Sequence, residues 1–202
     1  MDAQKIIIVQ IGRIGDMILL TPVVKLLKDA NPGNEIHVLA GRHNDVVAEY
    51  HPLIEKVHVY KKNPLIDLNL IRNLRKEQYD YWIDVKDHYS SESYYFAKLS
   101  NARIKAGFNA PGKCVFHHSL PAHTEQRDKH VVQRNMVAVS PLGLKTPPLS
   151  QLRPTLYTDS QAEEKLHTFL QQHSISRYAC INISATSPRR YWTIEKWIAF
   201  IR

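Results

Sequence analysis

The chain has 202 residues, of which 44% are hydrophobic and 23% charged, so it can bury the core of one full domain and begin a second. Lysine and arginine outnumber aspartate and glutamate by 27 to 19, which favours anionic partners such as phosphate-bearing molecules, lipid headgroups or nucleic acid. Two distant cysteines, Cys114 and Cys180, exclude a disulfide framework, and the apolar runs have only the length of strands. We therefore expect a cytoplasmic protein with reduced thiols.

Strand-like and helix-like segments alternate along the first hundred residues. Each short run of β-branched or aromatic residues is followed by a segment in which apolar residues recur at helical spacing. The strand-like runs are 6–10, 36–40, 57–60 and 81–85, and the helical segments are 17–30, 43–50, 65–77 and 91–99. This alternation predicts a Rossmann-like α/β fold, in which helices cover both faces of a parallel sheet.

The first predicted strand runs into a turn that contains Gly12 and Gly15 and is followed by Asp16. Parallel sheets bind ligands at the carboxyl ends of their strands, and glycines there let a ligand approach the backbone. The turn lacks the third glycine of a dinucleotide fingerprint and the lysine of a P-loop. Two roles remain open for Asp16: it accepts a proton from a hydroxyl group, or it caps the helix that follows.

The helical segment 65–77 has an apolar face, and its basic residues Arg72, Arg75 and Lys76 lie elsewhere around the helix. These cations form either a solvated face or a binding surface.

Further along, His117 and His118 are adjacent, so on a strand they would point to opposite faces. Since no third ligand stands at a suitable spacing, we expect no metal site there.

Another helical pattern covers residues 130–142, and prolines at 147, 148 and 154 mark a linker before a helix at 160–172. The opening pattern then begins again, with a predicted strand at 179–183, a polar loop at 184–190 and a helix from Thr193 to Arg202. Hydroxyl groups and guanidinium groups in that loop are suited to hold a phosphate, or they serve only to form the turn.

Five segments of the chain, taken in order, carry a family pattern. They are I-I-I-V-Q-I-G-R-I-G-D-M-I-L-L-T-P-V-V-K-L-L-K, P-G-N-E-I-H-V-L, Y-D-Y-W-I-D-V, A-R-I-K-A-G-F and I-N-I-S-A-T-S-P-R-R-Y-W-T-I-E-K-W. Together they resemble the heptosyltransferases of glycosyltransferase family 9. The resemblance implies a bacterial GT-B enzyme of lipopolysaccharide biosynthesis, in which two Rossmann-like domains face each other across a cleft. It also implies ADP-heptose as the donor, the anionic Kdo–lipid A inner core as the acceptor, and no catalytic metal or other cofactor.

The family's site residues can be placed on this sequence. By the resemblance, Asp16 is the general base of an inverting transfer, and the acceptor side of the cleft is shaped by Gly12, Arg13 and Gly15. Arg103 is a further candidate for contact with the acceptor, with solvated surface charge as its alternative. The resemblance places the donor contacts on Ser184, Thr186 and Arg190.

The chain departs from the family because it lacks a second donor motif of the form Asp-Ser/Thr-Gly-x-x-His. We therefore expect an acceptor-binding domain at 1–155, and a linker helix with the first β-α unit of a truncated donor domain at 156–202. Two functions stay open: sugar transfer at the cytoplasmic face of the inner membrane, and an inactive module that only binds the acceptor. Nucleic-acid binding is not expected, because no basic patch is interleaved with aromatic residues.

Overall fold

The computed structural model describes residues 2–183, 187 and 191–201. The chain forms two compact units, Met1–Thr158 and Asp159–Arg202. None of the described helices is both long enough and apolar enough to cross a bilayer.

The first unit is built on a parallel sheet of six strands. The strands are β1 (Lys5–Gln10), β2 (Glu35–Gly41), β3 (Lys56–Tyr60), β4 (Tyr81–Asp84), β5 (Ile104–Gly107) and β6 (His118–Ser119). They lie in the order β3-β2-β1-β4-β5-β6, and each neighbouring pair is parallel. The predicted Rossmann-like sheet is therefore confirmed, and its strand order changes direction between β1 and β4.

Helices cover both faces of this sheet, because successive side chains of a strand point to opposite sides. The helices of the first unit are α1 (Ile14–Ile18), α2 (Thr21–Ala30), α3 (Asp45–Glu49), α4 (Pro64–Lys76), α5 (Ser91–Leu99) and α6 (Val131–Val137). In β1, Ile6 and Ile8 pack with buried residues of α1, α2, α3 and α6, whereas Ile7 and Val9 pack with those of α4 and α5. Three short 3₁₀ helices complete the unit: His123–Gln126, Ser140–Leu142 and Leu149–Gln151.

The helical segment predicted over 17–30 is divided into two helices. Pro22 lies in the first turn of α2, where a proline costs no helical hydrogen bond. The Thr21 hydroxyl donates to the carbonyl oxygen of Ile18 at 2.8 Å, which joins the end of α1 to the start of α2. This break leaves α1 as a short helix directly after the β1 turn, with Asp16 in it.

The second unit contains α7 (Ser160–Gln172) and α8 (Ile194–Ile201). The Asp159 side chain caps α7 by accepting the Ala162 amide at 2.6 Å. The strand predicted at 179–183 is wrong, since these residues are exposed and have no regular structure. A strand exists only when a neighbour pairs with its backbone, and every strand in the described part of the chain belongs to the first unit.

Candidate active site

A cavity of about 610 Å³ opens at the carboxyl ends of β1 and β4, where the strand order reverses. Reversal points of this kind are where open α/β sheets bind ligands, because the connecting helices there lead to opposite faces and leave a crevice. The β1 turn, the loop after β4 and the α6 region line the cavity through Gln10, Gly12, Arg13, Asp16, Val85, Lys86, Asp87, His88, His123, Val131, Arg134 and Asn135.

Asp16 is a half-buried residue of this cavity. Its Oδ2 atom accepts the backbone amide of Arg13 at 3.3 Å, so the carboxylate does cap the short helix α1. In the part of the chain that the structure describes, its Oδ1 atom has no hydrogen-bond partner. Capping and proton acceptance are therefore compatible roles, because they use different oxygens of one carboxylate.

Gly12 leaves no room for a side chain unless its neighbours move. Its amide donates to Gln10 Oε1 at 3.0 Å, and a Cβ atom at Gly12 would lie 2.7 Å from that oxygen and 3.0 Å from Asp16 Oδ2. Real Cβ atoms almost never approach other atoms below 3.0 Å. The glycine thus lets the turn fold against the carboxylate, which fixes where Asp16 stands.

A second carboxylate, Asp87, holds a cluster of cationic and imidazole groups on the other wall of the cavity. Its Oδ2 atom lies 2.5 Å from Arg134 Nη1 and 3.1 Å from His123 Nδ1, and its Oδ1 atom lies 3.2 Å from His88 Nδ1. Burial acts to raise the pKa of Asp87, but the two histidine contacts and the Arg134 charge outweigh it and hold this pKa below its ordinary value. Asp87 is therefore an anion that orients Arg134 and His123.

Not all hydrogen-bond donors of Arg134 are used among the described residues. Its Nε atom is buried and has no hydrogen-bond partner among the described residues, although its Nη1 atom is bonded to Asp87. Unsatisfied buried donors are rare in folded proteins, and a guanidinium that lines a cavity is chemically suited to an acidic ligand. Opposite walls of the cavity thus carry a carboxylate that can accept a proton and a guanidinium that can bind an anion.

The predicted base Asp16 and two of the predicted acceptor-side residues, Gly12 and Arg13, come together in the cavity. Gly15 is exposed, and a Cβ atom there would meet nothing within 4 Å. Arg103 precedes β5 at the amino edge of the sheet, where it faces Asp80 at 3.5 Å. The structure therefore does not bring Arg103 to this cavity, which opens at the carboxyl edge.

The predicted donor residues Ser184, Thr186 and Arg190 lie outside the described residues. In contrast, Asp87, His123 and Arg134 line the cavity but were not predicted from the sequence. One signal pointed to Asp87, because it follows the predicted strand 81–85 directly and so had to lie at the carboxyl edge of the sheet. No local pattern indicated His123 or Arg134. His123 lies in the first 3₁₀ helix and Arg134 in α6, and the fold brings both to the loop that contains Asp87.

One group of described residues, His37, His58 and Glu77, has possible metal-ligand atoms within 4.8 Å of one another. The Tyr79 hydroxyl, however, lies 2.8 Å from His37 Nδ1 and 2.9 Å from His58 Nε2. Glu77 forms ion pairs with Lys5 and Lys56 at 2.5 Å each. The ligand atoms are thus already used in hydrogen bonds and ion pairs, and the group is a buried polar network of the sheet.

Comparison with known proteins identifies the family. The sequence profile of "Glycosyltransferase family 9 (heptosyltransferase)" matches residues 68–202. Lipopolysaccharide heptosyltransferase 3 of Escherichia coli K12 is 28% identical over 144 residues, which cover 64% of this chain and 40% of that protein. The chain thus spans less than half the length of this curated relative.

Two solved structures share the fold. A glycosyl transferase family 9 protein from Veillonella parvula has a TM-score of 0.76 at 19% identity, covering 98% of this chain and 58% of that one. The E. coli heptosyltransferase WaaC with ADP has a TM-score of 0.71 at 17% identity, covering 98% of this chain and 62% of that one. These likenesses agree with the predicted GT-B type of α/β fold.

Proposed function

This chain belongs to glycosyltransferase family 9, the heptosyltransferases, and on that premise we propose that it acts in the transfer of heptose from ADP-heptose to the inner core of lipopolysaccharide. The donor is supported by the ADP in the structure of the WaaC relative, and the acceptor by the name of the curated E. coli relative. The observation that carries the proposal is the Asp16 carboxylate, which lines a cavity at the reversal point of the sheet with one oxygen unpaired in the described structure.

In the proposed reaction Asp16 is the general base. Its Oδ1 atom accepts the proton of an acceptor hydroxyl while the hydroxyl oxygen attacks the anomeric carbon of the donor. The new bond from carbon to acceptor oxygen forms as the bond from carbon to the ADP phosphate oxygen breaks, and ADP leaves with the electron pair. A single displacement of this kind inverts the configuration at the anomeric carbon.

The cationic wall of the cavity is proposed to bind the acceptor. Arg134 and Lys86 supply positive charge, and Asp87 keeps the Arg134 guanidinium in place. An inner core that carries carboxylates and phosphates complements this wall, and a guanidinium binds such groups more specifically than an ammonium does. Because this acceptor is anchored in lipid, the proposed site of action is the cytoplasmic face of the inner membrane.

The test compares Asp16→Asn with Asp128→Asn, which changes an exposed carboxylate outside the cavity lining. ADP release from ADP-heptose is measured with a deacylated inner-core acceptor, and acceptor binding is measured separately by calorimetry. Asp16→Asn should lower the rate about 100-fold or more, because a neutral amide cannot accept the proton, and should leave acceptor binding nearly unchanged.

Unchanged ADP release in Asp16→Asn would remove Asp16 from the mechanism. If the unaltered chain binds the acceptor but releases no ADP, the transfer proposal fails for this chain and the acceptor-binding module remains.

A further inference from the structure

The outer face of α4 combines exposed leucines with unpaired cations. Leu70 and Leu74 point into the sheet and are buried, so residues on the opposite side of the helix face outward. Leu65 and Leu68 lie on that outer side and are 81% and 48% exposed. Arg72, Arg75 and Lys76 follow on the same side, one and two turns further along the helix.

Apolar side chains are also exposed on the neighbouring helix. A groove of about 270 Å³ between α4 and α5 is lined by Ile71, Tyr95 and Leu99, together with the acids Asp67 and Glu92. Tyr95 and Leu99 are exposed, so both helices present apolar groups on this side of the sheet. Single exposed leucines are ordinary, but several exposed apolar side chains on two neighbouring helices indicate an interaction surface.

The cations of this face are free to bind an external anion. In the described structure none of Arg72, Arg75 and Lys76 has a carboxylate partner, and Arg72 donates only to Asn69 Oδ1 at 3.3 Å. Among the nearby acids, Glu77 binds Lys5 and Lys56, and Glu92 binds Lys62 at 3.3 Å. Asp67 accepts the Lys61 amide and lies in the groove beside this face. The charged side chains on the outer face of α4 itself are therefore all cations.

We infer that this face of α4, with Tyr95 and Leu99 of α5, docks on an anionic lipid bilayer. The leucines enter the boundary between headgroups and acyl chains, and the cations bind lipid phosphates, as in helices that lie in the plane of a membrane. A surface with apolar groups alone would fit a protein partner equally well, but the unpaired cations make it complementary to anionic lipid.

Docking here also suits the position of the cavity. Helix α4 follows β3, so its first turn with Leu65 lies at the carboxyl edge of the sheet, the same edge at which the Asp16 cavity opens. This inference rests on the proposed function, because a lipid-anchored acceptor is what a docked chain would reach from that edge.

The first test measures binding of the whole chain to vesicles without donor or acceptor. Vesicles of phosphatidylglycerol and phosphatidylcholine in a 3:7 ratio are compared with pure phosphatidylcholine in sedimentation assays. R72A/R75A/K76A should weaken binding to the anionic vesicles about 100-fold, since each cation near such a surface contributes roughly a factor of five or more. The control K25A/K145A/R153A removes three exposed cations carried by segments that pack on the other side of the sheet. It should weaken binding at most about threefold.

The second test separates insertion from adsorption by charge. At raised salt, where electrostatic attraction is screened, L65S/L68S should weaken binding about tenfold or more, because it removes the inserted apolar groups. L149S, which changes an exposed leucine elsewhere in the first unit, should leave it unchanged. Circular dichroism is used to check that each variant retains its fold.

Equal losses in the two triple variants would overturn the inference, because binding would then follow net charge alone. Equal binding to both kinds of vesicle would overturn it as well. Self-association that is abolished by L65S/L68S, without vesicle binding, would assign the face to a second copy of the chain. Since these vesicles hold no acceptor, Asp16→Asn should bind them like the unaltered chain, so loss of transfer and loss of docking are distinguishable.

Discussion

Asp16 has a structural role that is compatible with the chemical role proposed for it. The hydrogen bond from the Arg13 amide to Oδ2 holds the carboxylate against the β1 turn, and Oδ1 of this cavity-lining side chain has no hydrogen-bond partner among the described residues. The sequence could predict both roles but could not choose between them, because the choice depends on which oxygen faces which group. The geometry shows that the two roles are compatible, because each uses a different oxygen of the carboxylate.

Gly12→Ala should displace the Gln10 side chain and crowd the Asp16 carboxylate. The added Cβ atom would lie 2.7 Å from Gln10 Oε1, which has to move, and 3.0 Å from Asp16 Oδ2, which has to give way slightly. A shift of about 1 Å in a catalytic group can cost about 100-fold in rate, and we expect ADP release to fall about 10- to 100-fold.

Gly15→Ala is the matched control, since its Cβ atom meets nothing within 4 Å. It should keep the rate and stabilise α1 by up to about 1 kcal/mol. Equal rates in both variants would show that the turn tolerates a side chain.

Asp87→Asn should destabilise the fold as well as weaken acceptor binding. Asp87 and Arg134 are only 17% and 16% exposed, so removing the carboxylate leaves a guanidinium charge with little access to water. We expect the free energy of unfolding, measured by urea titration, to fall by about 2 kcal/mol. Asp29→Asn breaks the exposed ion pair with Lys25 and should cost less than about 0.5 kcal/mol. A similar small loss for Asp87→Asn would mean that solvent already screens the cluster.

At the scale of elements, the predictions that succeeded depended on local signals. Helices α5 and α7 span the residues predicted for them, 91–99 and 160–172, because Ser90 and Asp159 cap their first turns. The tail strand at 179–183 failed because strand pairing is not a local property. The Asp87 cluster was missed for the same reason, since Asp87 and Arg134 are 47 residues apart in the chain.

Asn44 joins two strand ends next to the candidate site. It is fully buried, its Oδ1 atom accepts the Gly41 amide at 2.8 Å, and its Nδ2 atom donates to the Gln10 carbonyl at 2.9 Å. Asn44→Ala leaves two buried backbone groups without partners, so the free energy of unfolding should fall by about 3 kcal/mol. Asn69→Ala, on the exposed side of α4, should change it by less than about 0.5 kcal/mol. Comparable losses of unfolding free energy for the two variants in urea titrations would contradict the role of Asn44 in joining the two strand ends.

At the scale of the whole molecule, a buried polar chain links β2, the edge strand β3 and the residues just before β4. His37 Nε2 lies 2.7 Å from Glu35 Oε1, so this nitrogen carries the hydrogen and donates to the carboxylate. His37 Nδ1 then accepts from the Tyr79 hydroxyl at 2.8 Å, and the Tyr79 oxygen accepts from His58 Nε2 at 2.9 Å. Each donor has one acceptor in this chain only when both histidines are neutral.

The stability of the fold should consequently fall as the pH falls below about 6.5. Burial lowers the pKa of His58 from 6.5 to about 4; the charge that His37 gains when it is protonated and the charge of Lys56 act in the same direction. Between these two values the unfolded chain binds a proton that the folded chain does not, which costs about 3 kcal/mol by the time the pH reaches about 4. His37 and His51 add to the effect, because burial lowers their pKa values too. The ion pairs lower the pKa of Glu77 to about 2 against its burial, so its contribution is lost only at more acid pH.

His58→Gln isolates the largest of these contributions, because the glutamine amide can still donate to Tyr79 but does not titrate. Urea titrations between about pH 6 and pH 5 should give a slope of unfolding free energy against pH that is shallower in the variant by about 1.4 kcal/mol per pH unit, the value for one proton. His118→Gln changes an exposed histidine and should keep the slope of the unaltered chain. If His58→Gln also keeps that slope, the proton is taken up elsewhere and His58 is not neutral by burial. The expected difference would instead show that the hydrogen-bonded chain through Tyr79 holds the sheet together only while its imidazoles stay uncharged.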